Sequence, residues 1–136
     1  MKKVLFLCTG NSCRSQMAEA IVNARLGDRW QAFSAGTRPA GYVHPKAIAA
    51  LAEIGIQHHG RSKLADEFRE ADLDVVVTVC DSAAEECPIW VGKGKRMHHS
   101  FPDPAKAEGT DEQIMDVFRA VRDDIEKEMV RLLNGT

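Results

Sequence analysis

The first apolar run, Val4–Cys8 (VLFLC), is unbroken and stops abruptly at Thr-Gly-Asn-Ser, as a short strand covered on both faces would. From Ser15 to Leu26 the period changes. Met17, Ala20, Ile21, Ala24 and Leu26 recur at helical intervals, and Gly27 is placed to end the helix. Gln31–Ala35 reads as a second strand closed by Gly36. His44-Pro45 opens a helix with proline in its first turn, with Ile48, Leu51, Ala52 and Ile54 facing inward before Gly55. Ser62–Glu70 reads as a further capped helix with Leu64, Ala65 and Phe68 inward. Asp74–Cys80 is β-branched and continuously apolar, a third strand, and Lys95–His99 is a weaker, edge-like fourth. Asp111–Leu133 is the longest helix, with Ile114, Phe118, Val121, Ile125, Met129 and Leu132 on one stripe. Strands alternating with helices predict an α/β fold: an open, four-stranded parallel sheet with helices on both faces.

Composition narrows this to one domain spanning 1–136, because 136 residues with 44% hydrophobic content are enough for a core. A net charge of −2 with 28% charged residues carries no basic excess, so no nucleic-acid partner is expected. The apolar run after Met-Lys-Lys is too short for a signal-peptide core or a membrane span, which predicts a cytoplasmic chain with no membrane partner. No repeat, low-complexity tract or linker is visible, and a monomer is the default.

The chemistry concentrates where the first strand meets the first helix. Cys8, Thr9, Gly10, Asn11, Ser12, Cys13, Arg14 and Ser15 form C-x5-R-S between a strand and a helix. A loop in that place turns backbone N–H groups toward the helix N-terminus, an arrangement that binds an oxyanion and favours thiolate over thiol. Arg14 adds a fork of donors suited to a tetrahedral dianion. Gly10 allows a turn with φ > 0 and Asn11 tolerates one. Ser15 is placed to cap the helix and to donate to the Cys8 sulfur. Cys8 therefore reads as a nucleophile aimed at a phosphate-shaped substrate. Because open parallel sheets bind ligands beyond the carboxyl ends of their strands, Cys8 and Cys80 would emerge at one edge if their strands are neighbours.

Two more thiols stand in CDSAAEEC. Cys80 ends a strand and could be a small core residue, whereas Cys87 sits in a polar segment where an exposed thiol invites oxidation. A redox pair is the favoured reading. Structural zinc is the rival, but C-x6-C lacks the close pairs typical of it, and His98 and His99 form no recognised ligand pattern, so no metal is expected. Cys13 reads as a buried partner of the loop, with reversible pairing to Cys8 as the alternative. His58 and His59 read as loop.

CTGNSCRSQMAE, FSAGT (Phe33–Thr37), the pair Cys80…Cys87 and HSFPDPA (His99–Ala105) together resemble the thioredoxin-coupled arsenate reductases, which are built on the low-molecular-weight protein tyrosine phosphatase fold. The resemblance covers essentially the whole chain. It implies arsenate as substrate, bound by Thr9–Ser15, and thioredoxin as reductant, with no cofactor. Cys8 would attack arsenic and Asp103 would act as general acid. Cys80 and then Cys87 would carry a disulfide away from Cys8, which requires residues 81–86 to move. C-x5-R-S and Asp-Pro are shared with the phosphatases; Cys80 and Cys87 separate the reductases from them. Weak phosphatase activity is expected as well, although no aromatic follows Asp103-Pro104 to wall an aryl-phosphate pocket.

One departure stands out. Members of that family can hold potassium with Asn11, Glu19, Ser34 and an aspartate after the serine equivalent to Ser62. Lys63 occupies that last place here, so Asn11, Glu19 and Ser34 are expected to support the loop without potassium.

Overall fold

The computed structural model describes residues 1–81 and 87–136. Four strands, β1 (Lys2–Cys8), β2 (Trp30–Gly36), β3 (Val75–Thr78) and β4 (Lys95–His98), form one sheet in the order β2-β1-β3-β4, and every pairing is parallel. The strand bearing Cys8 is therefore central. Its alternation divides the sheet. Val4 and Phe6 belong to a core shared with all three α-helices, α1 (Arg14–Arg25), α2 (Pro45–Glu53) and α3 (Asp111–Asn134). Leu5 and Leu7 face the other side, covered by Trp90 and by Ala65 and Phe68 of a short 3-10 helix, Ala65–Phe68. Both faces are thus closed, which is why VLFLC reads as unbroken apolar.

Several elements differ from their sequence reading. The segment 62–70 yields only that single 3-10 turn. Leu64 is half-exposed, its backbone bridging to Gly36, and Ser62 turns its hydroxyl to the Gly10 carbonyl (3.1 Å) instead of capping. Strand β3 ends at Thr78, although Val79 N–H still donates to Leu7 O (2.9 Å) and carries Cys80 to the top of the ladder. In α2 the small residues Ala47 and Ala50, with Leu51, face the core. Ile48 and Ala52 point outward, so the phase read from the larger side chains is rotated. His44 accepts the Lys46 N–H at the start of α2, and Thr110 with Gln113 makes a reciprocal capping box on α3. Among the described residues no helix is long and apolar enough to cross a membrane.

Candidate active site

The parallel register pairing Leu7 with Thr78 sets Cys8 and Cys80 at the same end of neighbouring strands, and both lie in one buried cluster. Beyond Cys8 the chain turns sharply before α1. Every carbonyl from Thr9 to Cys13 is held from outside the turn or by the helix. Thr9 O accepts from Arg38 N, Gly10 O from Ala40 N, Asn11 O from Gln16 Nε2, Ser12 O from His44 N and Cys13 O from Met17 N, at 2.8–3.1 Å. With the carbonyls engaged this way, Asn11 N–H turns to the inner side and donates to Cys8 Sγ at 3.2 Å. Gly36 permits the close fit: a Cβ there would sit 2.3 Å from Thr9 O.

The left-handed residue of the turn is Asn11 (φ 48), not Gly10. Its fully buried side chain ties the turn to α1 and to the segment at Lys63: Nδ2 donates to Ser15 Oγ (2.8 Å), while Oδ1 accepts from Lys63 N (2.8 Å) and Gln16 Nε2 (2.9 Å). Asn11→Ala strands these buried donors and keeps a Cβ at positive φ without the compensating bonds. We expect a loss of about 3 kcal/mol, read as a lower urea midpoint at unchanged slope.

Ser15 does not cap α1. The helix begins at Arg14, and its N-cap Cys13 makes no side-chain capping bond. Instead Ser15 Oγ lies 2.9 Å from Cys8 Sγ and, accepting from Asn11, has its proton for the sulfur. The α1 start is thus left to receive an anion, in contrast with the side-chain-capped starts of α2 and α3.

Arg14 is buried and fixed by donation from Nη1 to Phe101 O (3.1 Å), and its Nη2 lies 3.7 Å from Asp103 Oδ2. Asp103 caps a second 3-10 helix, Pro104–Lys106, through Ala105 N–H. A single cavity of about 790 Å³ is lined by residues 8–14, Asp103 and Cys87; Arg38 and Lys106 add positive charge to its wall. Ser15 stays beneath the sulfur, outside that lining. Cys87 is disulfide-bonded to Cys80, while Cys8 and Cys13 are free thiols. Burial pushes the Cys13 thiol up to about 12, which fits a packing residue of the loop and not a second nucleophile. Residues 82–86, which the relay would require to move, lie outside the described residues.

Residues 3–135 match the model of the low molecular weight phosphotyrosine protein phosphatase family. The chain belongs to that family. Within it, arsenate reductases are close relatives: one from Halalkalibacterium halodurans is 50% identical over 93% of this chain and 91% of its own length, and one from Bacillus subtilis is 45% identical over 91% and 89%. A solved arsenate reductase in its oxidised state superposes with a TM-score of 0.80 at 32% identity, covering 99% of this chain and 98% of that one.

The support beneath the loop includes residues that motif reading passed over. Gln16 Nε2 also donates to Arg61 O (2.9 Å), and its Oε1 lies 2.8 Å from His58 Nε2. Burial, the largest cause, lowers the His58 pKa from its ordinary 6.5. A folded value below the unfolded one means that this contribution to stability is present above about pH 6.5 and fades as pH falls through it. The melting temperature should therefore decline between about pH 7.5 and 5.5, and less steeply in His58→Gln.

Glu19 and Ser34 do meet, with Ser34 Oγ donating to Glu19 Oε1 at 2.9 Å. The buried Lys63 ammonium stands 3.6 Å from the same oxygen and donates to Arg61 O at 2.8 Å. A tethered cation thus stands beside the Glu19–Ser34 pair.

Proposed function

We propose that this chain reduces arsenate to arsenite through Cys8, with Cys80 and Cys87 as a disulfide relay restored by thioredoxin. One observation carries the reading: the Cys80–Cys87 disulfide opens, at Cys87, onto the same cavity as the free Cys8 thiol. A phosphatase needs no such pair. The high identity to arsenate reductases over nearly the whole chain supports it.

The uncapped α1 start and Arg14 hold the tetrahedral dianion against the sulfur. The bonds from Asn11 N–H and Ser15 Oγ hold the Cys8 sulfur in place as the attacking nucleophile. Asp103, on the cavity wall beside Arg14, is placed to give a proton to the departing oxygen. The Cys80 thiolate then attacks Cys8 Sγ. The S–As bond breaks with its electron pair going to arsenic, arsenite leaves, and a Cys8–Cys80 disulfide remains. Cys87 attacks Cys80 next, freeing Cys8 and leaving the disulfide seen here, which the thioredoxin dithiol reduces. A relay of this kind operates in a reducing cytoplasm.

Arsenate-dependent NADPH oxidation in the presence of thioredoxin and its reductase tests the proposal. Sustained turnover supports it; hydrolysis of an aryl phosphate with no NADPH consumed overturns it. The catalytic core alone predicts a weak side phosphatase. It is weak because, among the described residues, no aromatic side chain lines the cavity. Because Lys63 supplies its own charge to Glu19, exchange of sodium for potassium at constant ionic strength is expected to leave turnover unchanged, and a clear rise would contradict that assignment.

A further inference from the structure

His98 has no part in the proposed reaction, yet its place in the fold is telling. It ends β4 beside Thr78 of β3, and the ligand atoms of Cys80, Cys87 and His98 all lie within 4.8 Å of one another. Sequence spacing hides this cluster because the histidine comes from the neighbouring strand. We propose that, when the disulfide is reduced, Cys80, Cys87 and His98 form a binding site for a thiophilic divalent cation of the Zn²⁺ type.

The donor set fits that chemistry. Two thiolates and one imidazole suit Zn²⁺ far better than calcium or magnesium, and three protein ligands leave a fourth position for solvent. Tetrahedral bonds of about 2.3 Å to sulfur and 2.1 Å to nitrogen put donors some 3.6–3.8 Å apart, inside the spread already present. Cys80 is held in the core and His98 on a strand, while Cys87 is half-buried outside regular structure, so one thiol has freedom to adjust.

The shell around the ring is also in place. Nδ1 lies 2.6 Å from Thr78 Oγ1 and Nε2 lies 3.0 Å from Ser100 Oγ, whose hydroxyl also donates to Cys80 O at 3.3 Å. Whichever nitrogen turns to the metal, the other keeps a hydroxyl that fixes the ring, as metal-bound histidines require. Chemically, a dithiol reductant supplies two electrons and two protons to the disulfide, and the cation then displaces the two thiol protons. Occupancy would withhold both relay thiols from Cys8.

The test uses Co²⁺ as probe on the whole chain, reduced anaerobically and freed of reductant. It does not depend on arsenate reduction, so failure of one reading is distinct from failure of the other. The expected result is one Co²⁺ per reduced chain, with thiolate-to-cobalt charge-transfer absorption and tetrahedral visible bands. In the oxidised wild type, which retains His98, the bands should be absent. His98→Ala keeps every thiol and should bind at least about tenfold more weakly, since even second-shell losses cost that much; His98→Cys should restore binding. Equal binding by the oxidised chain, undiminished binding by His98→Ala, or no binding by the reduced wild type would each overturn the proposal.

Discussion

Cys87→Ser is expected to produce about one equivalent of arsenite per chain and then stop, whatever the supply of thioredoxin and NADPH. The reason lies in where the three sulfurs sit. Cys8 ends β1 and Cys80 follows two residues after the neighbouring β3, in the same buried cluster, so the first disulfide can form between them without Cys87. That bond would lie beneath the surface. Cys80 is completely covered and Cys8 nearly so, which denies an external dithiol its line of attack. Cys87 is the partly exposed sulfur that borders the cavity, so it is placed to bring the disulfide outward. Serine keeps the shape and removes the exchange. Arsenite yield against time, with NADPH consumption in parallel, separates one equivalent from sustained turnover.

Cys8→Ser removes even the first equivalent. A hydroxyl in place of the thiolate is a far weaker nucleophile at neutral pH, and it cannot form the disulfide by which arsenic receives its electrons. A loss of about 10⁴-fold or more is expected in both arsenate reduction and any phosphoester hydrolysis. Binding is a different matter. The uncapped α1 start and the Arg14–Phe101 bond do not depend on the sulfur, so arsenate and phosphate should still bind Cys8→Ser, measurable by calorimetry. Loss of anion binding together with activity would show that the sulfur holds the loop instead of reacting from it.

What the sequence made legible follows a physical line. Strands closed on both faces appear as unbroken apolar runs, so VLFLC and the VVV of β3 were readable, and with them the edge on which Cys8 and Cys80 emerge. The turn motif was readable because its chemistry is local: cysteine, five residues, arginine. What stayed hidden was non-local. Asn11, not Gly10, takes the positive φ because its amide finds Ser15, Gln16 and Lys63, and two of those bonds are made to side chains or segments that no spacing rule connects. Gln16 and His58 lie 42 residues apart and had no role assigned from the sequence, yet they bear on the loop's underside. The 62–70 segment misled for a related reason. Its helical pattern was real, but Ser62 and Lys63 are drawn into the loop and its supports, leaving one turn. His98 belongs with these cases, since only strand pairing brings it to the thiols.

The central claim is that Cys8 passes its oxidation to Cys80 before Cys87. The most direct measurement is a disulfide map of Cys87→Ser after one equivalent of arsenate, alkylated and digested without reductant. The account predicts a peptide pair joined through Cys8 and Cys80, in step with the arsenite released. Unlinked Cys8 and Cys80 peptides alongside released arsenite would contradict it.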